Sequence, residues 1–381
     1  MHSTWHLKRK LLCVRLDGAG DVLMTTPALN ALKEAVPGRH LTLLTSPAGA
    51  RAARLVPALD EVIEFEASWM KLPHANVAND RALINRLAAG GYDGAVVFTV
   101  YSQSPLPAAY LVYLAGIPDC LAHCRENAYH LLSDRVPDPE PQQRVRHEVR
   151  RQLDLVATTG AKPKSDALSI AIPNVARRRA AAALATLGIP RDGPLVVAHV
   201  GAYAPSRRYP PQRFAETLDL LIAEQRARVV LTGDSSEVQL VEFVRGAMRS
   251  HAYSLAGCLE LAELCAVIEA ADVLVSNNTA PVHIAAAVGT PVVDLYALTN
   301  PQHGPWRVPH RMLYRDVPCR YCYKSVCPAG HHDCLAQVTP AEIADAVRGL
   351  LDSTFEPVRV TLEALPRANL ERGDATRARA T

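Results

Sequence analysis

The sequence predicts an α/β chain of two Rossmann-like domains, and three observations carry that prediction. Its 381 residues exceed the roughly 250–300 at which one hydrophobic core stops growing, so two units are expected. Short continuous apolar runs alternate with helical patterns, as parallel strands buried on both faces require. The alternation occurs twice, once before Pro163 and again after Pro194, with a looser basic stretch in between.

Residues 11–15 are apolar up to the arginine and read as a buried strand, followed by the tight turn Gly18-Ala19-Gly20 and a helix over 22–35. Pro37-Gly38 stops that helix, and residues 41–45 return as a second strand. Further strands are expected at 62–65 and 94–99, with a helix over 80–89 between them. An alanine-rich basic helix over 176–187, bounded by Pro173 and by Gly188-Ile189-Pro190, marks the junction, so the domains are set at 1–172 and 173–352. The second sheet takes strands at 195–200, 228–232, 273–275 and 291–295 and helices at 211–224, 237–248 and 262–270. Residues 353–381 mix proline with scattered charge, lose periodicity and are expected to be disordered.

Apolar residues make up 49% of the chain and charged residues 21%, a globular balance. A net charge of +3 lacks the bulk basicity of a nucleic-acid binder, and the clusters Lys8-Arg9-Lys10 and Arg177-Arg178-Arg179 read as solvated faces. The first residues, MHSTWHLKRK and then LLCVRL, offer too short an apolar run for a signal segment, and about 18 uncharged apolar residues in succession occur nowhere. Nine cysteines without an export signal point to a reducing cytoplasm. A peripheral contact with the inner membrane is compatible with this.

Four segments hold the chemistry. The first, residues 16–27 (LDGAGDVLMTTP), presents Asp21 at the carboxyl end of the first strand, where open α/β sheets bind ligands. A dinucleotide fingerprint needs a third glycine where Leu23 stands, so oxidoreductase chemistry is disfavoured. A carboxylate here also serves as a helix N-cap, and spacing alone leaves the two roles even. The second, Gly201 to Arg213 (GAYAPSRRYPPQR), puts paired arginines before a helix N-terminus, which suits a diphosphate; a proline-rich surface turn is the alternative. The third, residues 276–287 (SNNTAPVHIAAA), opens a helix of small residues at which amides and the Thr279 hydroxyl converge on an anion. His283, one turn in, has the bland reading of a packed core histidine. The fourth holds Cys319, Cys322, Cys327 and Cys334 with His331 and His332 within 16 residues, ligand types for a metal at a non-standard spacing.

In this order the four segments, VRLDGAGDVLMTTPAL, SRRYPPQRF, SNNTAPVHIAAAVGTPVV and PCRYCYKSVCPAGHHDCL, resemble the lipopolysaccharide heptosyltransferase family, glycosyltransferase family 9, over most of residues 10–350. The resemblance implies the glycosyltransferase B-type fold, two Rossmann-like domains facing a cleft, with acceptor on the N-terminal domain and donor on the C-terminal one. It implies inverting transfer of a heptose or related sugar from a nucleotide diphosphate, ADP-heptose above all, to a lipopolysaccharide-core glycolipid.

By that resemblance Asp21 is the catalytic carboxylate. Arg207, Thr279 and Ala280 hold the donor diphosphate. Gly201, Ala202, Gly233, Asp234, Ser235, Leu259, Asn278 and His283 hold the nucleotide and sugar, with no metal and no cofactor. Arg207 stands where the family usually has lysine, Asn278 where it more often has aspartate, and Ala280 where it has glycine. A nucleotide-sugar epimerase of the same two-domain layout is the rival enzyme. A metal-holding module at the cysteines is the rival without catalysis.

Overall fold

The computed structural model describes residues 4–70, 76–190 and 192–352, so the expectation for the tail, 353–381, lies outside the described residues. The chain divides into two compact units, the first ending at Ala171 and the second beginning at Ile172.

In the first unit the order is β1 (Lys10–Arg15), α1 (Ala19–Ala35), β2 (His40–Thr45), α2 (Pro47–Ala53), β3 (Glu61–Glu64), α3 (Val77–Ala89) and β4 (Gly94–Val97). There follow α4 (Leu106–Leu114), β5 (Cys120–Cys124), β6 (Asp134–Pro137) and α5 (Glu148–Ala157). The six strands form one sheet in the order β3-β2-β1-β4-β5-β6, every neighbour parallel.

Side chains alternate across a strand, so Leu12 and Val14 share one core with Leu83 and Leu87 of α3 and Ala109 and Val112 of α4. Leu11, Cys13 and Arg15 therefore take the opposite face, where α1 packs on α2 and α5. Helix α1 starts earlier than position 22 and carries Pro27 within it. Proline has no N–H for the Leu23 carbonyl one turn back, and the Thr26 hydroxyl donates to that oxygen instead, at 2.7 Å. A short helix absent from the sequence reading, α2, seats its Gly49 so close to Thr45 and to the Asp17 carbonyl that a Cβ there would collide.

The second unit repeats the plan. It runs α6 (Asn174–Thr186), β7 (Leu195–His199), α7 (Pro211–Gln225), β8 (Arg228–Thr232), α8 (Val238–Ala247), β9 (Tyr253–Ser254) and α9 (Leu261–Glu269). It continues with β10 (Val273–Asn277), α10 (Ala280–Val288), β11 (Val292–Leu295), β12 (His310–Leu313), α11 (Asp333–Ala336) and α12 (Pro340–Leu351). Its sheet, again all parallel, has the order β12-β11-β10-β7-β8-β9. Phe214, Leu218, Val241, Val244, Ile343 and Val347 from α7, α8 and α12 cover one face of it, over Val196, Leu231, Val275 and Leu295.

Counted from each unit's own first strand, the two orders are the same. The order reverses between β1 and β4 in one unit and between β7 and β10 in the other, and the crevice at the carboxyl ends of such a strand pair is where doubly wound sheets bind ligands. No helix among the described residues is long and apolar enough to cross a membrane.

Candidate active site

In the first unit the turn after β1 is built on one buried cation. Arg15, wholly shielded from solvent, extends Nη2 to Asp21 Oδ1 at 3.0 Å, Nε to Asp17 Oδ2 at 3.0 Å and Nη1 to Glu148 Oε1 of α5 at 2.8 Å. Asp17 Oδ1 also accepts from Gln103 Nε2 at 2.7 Å, so the turn is tied to the segment after β4 across the reversal of strand order. Asp21 is not the N-cap of α1. That position is Gly18, and Asp21, in the first helical turn, accepts from the Gly18 N–H at 3.3 Å through Oδ2. It thus lies at the positive end of the helix dipole.

The electrostatics separate the carboxylates. Burial opposes the charge on Arg15, but Asp17, Glu148 and Asp21 outweigh it and hold the guanidinium charged. Burial, opposed by Arg15 and reinforced by the charge of Asp21, pushes the Asp17 carboxyl up to about 6. The Asp21 side chain is 23% exposed, against 13% for Asp17 and 0% for Glu148, so Asp21 is the one best open to an incoming hydroxyl.

In the second unit the loop after β7 and the end of β10 lie side by side. Strand β10 runs two residues further than expected, through Asn277. Asn277 Nδ2 donates to the carbonyls of Val200 (2.8 Å) and Gly201 (3.2 Å), and its Oδ1 accepts from the Tyr209 N–H at 2.9 Å. This one side chain fastens the loop that carries Gly201, Ala202 and Arg207. The paired arginines divide their work: Arg208 Nε donates to the Ala202 carbonyl at 2.8 Å and braces the loop, while Arg207 ends a short 3-10 turn, half-buried.

Thr279 is the N-cap of α10 in extended conformation, its hydroxyl making no capping bond, and Ala280 is the first helical residue. Both are half-buried, with the helix amides behind them. Asn278 is buried, and its Nδ2 donates to Asp294 Oδ2 and to the His303 carbonyl, each at 2.9 Å. Burial holds the Asp294 carboxyl well above the usual carboxylate range, against the hydrogen bond from Asn278. His283 lies in the core of the unit, 3% exposed.

At the end of the neighbouring β8, half-buried Gly233 leads into exposed Asp234 and Ser235. The Asp234 carboxylate turns back on its own loop and accepts from Ser236 N (2.8 Å) and Ser236 Oγ (2.6 Å). Leu259, half-buried, precedes α9. Glu237, which no sequence motif marked, accepts from the Asp234 N–H at 3.0 Å, stands 3.5 Å from His199 Nε2 and occupies the space a Cβ on Gly201 would need.

The cysteine segment leans on the same loop. Ser206 N–H donates to the Ser325 carbonyl at 3.0 Å, and Ser206 Oγ to the Lys324 carbonyl at 2.7 Å. Cys319 Sγ is 3.8 Å from His331 Nε2. Among the described residues no group of three or more His, Cys, Asp or Glu side chains is arranged to hold a metal ion.

Comparison with known proteins matches residues 81–332 to "Glycosyltransferase family 9 (heptosyltransferase)". Lipooligosaccharide heptosyltransferase 2 of Haemophilus ducreyi is 25% identical over 359 residues, covering 90% of this chain and 99% of that protein. A glycosyl transferase family 9 structure from Veillonella parvula superposes with a TM-score of 0.77 at 21% identity, over 91% of this chain and 98% of that one. The E. coli ADP-heptose lps heptosyltransferase II superposes with a TM-score of 0.70 at 22% identity, over 90% and 98%. Both likenesses are of fold, the glycosyltransferase B type.

Proposed function

The chain belongs to glycosyltransferase family 9, the heptosyltransferases, and on that premise we propose that it transfers a heptose, with inversion, from ADP-heptose to a lipooligosaccharide or lipopolysaccharide core. The relatives' names support donor and acceptor class: one acts as a lipooligosaccharide heptosyltransferase, another is described as an ADP-heptose enzyme. An acceptor with a lipid anchor brings the enzyme to a membrane surface for its work.

The observation that carries the mechanism is the Asp21 carboxylate, bonded to buried Arg15 and to the Gly18 N–H yet partly open. It takes the proton of the acceptor hydroxyl as that oxygen attacks the anomeric carbon. The bond from that carbon to the diphosphate breaks on the opposite face, which inverts the configuration. Positioned bases of this kind contribute roughly 10²–10⁴-fold.

Charge on the departing diphosphate falls to Arg207 and to the amides at the start of α10, at Thr279 and Ala280. A guanidinium at position 207 grips two phosphate oxygens where an ammonium would offer a point charge. Gly201, Ala202, Gly233, Asp234, Ser235 and Leu259 line the strand ends at which nucleotide and ribose bind. Asn278 and His283 serve the sugar from beneath, since both side chains are buried.

Release of ADP from ADP-heptose tests this reading. ADP should accumulate only when lipooligosaccharide acceptor is present. ADP formed without acceptor, or an altered sugar nucleotide with the diphosphate intact, would point to the epimerase class instead.

A further inference from the structure

We propose that Arg15 is a positioning residue for the transfer, fixing the Asp21 carboxylate in one orientation and keeping its charge, with Glu148 and Gln152 holding the guanidinium from behind. The proposal rests on reading Asp21 as the base. Arg15 forms ion pairs with residues from three separate parts of the unit: Asp17 in the turn, Asp21 on α1 and Glu148 on α5. Being wholly buried, it has no water to take over any of these bonds.

Behind it, Glu148 Oε1 also accepts from Gln152 Nε2 at 2.6 Å, and Gln152 Nε2 reaches the Thr99 carbonyl at 3.1 Å. Both α5 side chains are fully buried, so the fork cannot swing away from Asp21 without leaving polar groups stranded. The planar guanidinium hydrogen-bonds Glu148 and Asp21 through separate Nη atoms at fixed angles, with Nε ion-paired to Asp17, and an ammonium would offer a single point charge instead.

The charges give the network a sign that a merely structural role lacks. It includes the ionisable groups Arg15 from β1, Asp17 from the turn, Asp21 from α1 and Glu148 from α5, with Gln103 and Gln152 neutral. The Arg15 cation thus serves three carboxylates. Removing the cation leaves Asp21 beside two like charges and makes it harder to ionise. Removing the charge of Glu148 frees Arg15 for the other two and makes Asp21 easier to ionise.

The experiment is the pH dependence of transfer by the full chain, with kcat and donor KM measured for wild type, Arg15→Met, Arg15→Lys, Glu148→Gln and Asp21→Asn. The acidic limb should rise by about 1–3 pH units in Arg15→Met, the effect of an opposite charge at this range. It should fall in Glu148→Gln. Arg15→Lys should lower kcat at unchanged donor KM with little movement of the limb, and it should cost little more when Asp21→Asn is already present. If Arg15→Met does not fold, the downward shift in Glu148→Gln and the kcat loss in Arg15→Lys decide the matter alone. A limb that stays put in Glu148→Gln, or an Arg15→Lys penalty undiminished in the Asp21→Asn background, overturns the proposal. Failure of the base assignment looks different: Asp21→Asn would keep both its transfer rate and its acidic limb.

Discussion

Asp294 is sealed from solvent on β11, with one carboxyl oxygen bonded to Asn278 and the other, Oδ1, buried without a hydrogen-bond partner. Burial raises its folded pKa well above the unfolded value of about 3.9. The sign follows from proton linkage. Below the unfolded pKa the contribution of this group to stability is fully present, and it is lost as pH rises toward the folded pKa, because the folded state then holds a proton the unfolded chain has given up. Asp294→Asn has no such proton and keeps a carbonyl for the Asn278 amide. Measured by urea unfolding, the variant should gain on wild type between pH 5 and pH 8, and a pH-independent difference would show that the carboxyl is ionised in the fold. The same pair shows what the sequence could not tell of residue 278. Its position after β10 was legible, but the inward turn of its side chain depends on a partner 16 residues away in the chain.

At the scale of elements, α1 depends on a substitution of donors at its proline. The buried Thr26 hydroxyl serves the Leu23 carbonyl and also accepts from the Ser169 N–H at 3.0 Å, joining the helix to the chain just before the first unit ends. Thr26→Val removes both bonds while keeping the shape, and an unsatisfied buried donor costs about 1–3 kcal/mol. A loss of about 2 kcal/mol is expected in chemical denaturation, with Thr26→Ser recovering most of it; a loss in Thr26→Ser with none in Thr26→Val would mean that the methyl, not the hydroxyl, matters. Elements with a clean signal were legible: residues 228–232 form β8 as read, since a continuous apolar run between turns has few other uses. The stretch from α4 to α5 carries no such signal. Helix α4 (LPAAYLVYL) is apolar on nearly every side and shows no helical period, and β6 alternates half-buried and exposed positions and ends on proline. Helix α5 was missed although Glu148 and Gln152, its buried polar residues, complete the Arg15 network.

Over the whole molecule, two sheets of one topology carry the same kind of turn at the same place in the strand order, one presenting a carboxylate and the other amides and arginines. The family could be read from sequence because these turns are local segments, whereas Arg15–Glu148 spans 133 residues and Glu237 reaches Gly201 only through the fold. The central claim is that Asp21 supplies the base for heptosyl transfer, and Asp21→Asn tests it most directly, since the amide keeps the size and an oxygen for the Gly18 N–H but little basicity. The measurement is the rate of ADP-heptose consumption with saturating lipooligosaccharide acceptor, alongside donor affinity and the melting temperature. The account predicts transfer reduced at least about a hundredfold with donor binding and melting near wild type. Transfer within a few-fold of wild type would contradict it, and a matching loss in Asp17→Asn alone would move the base to the neighbouring carboxylate.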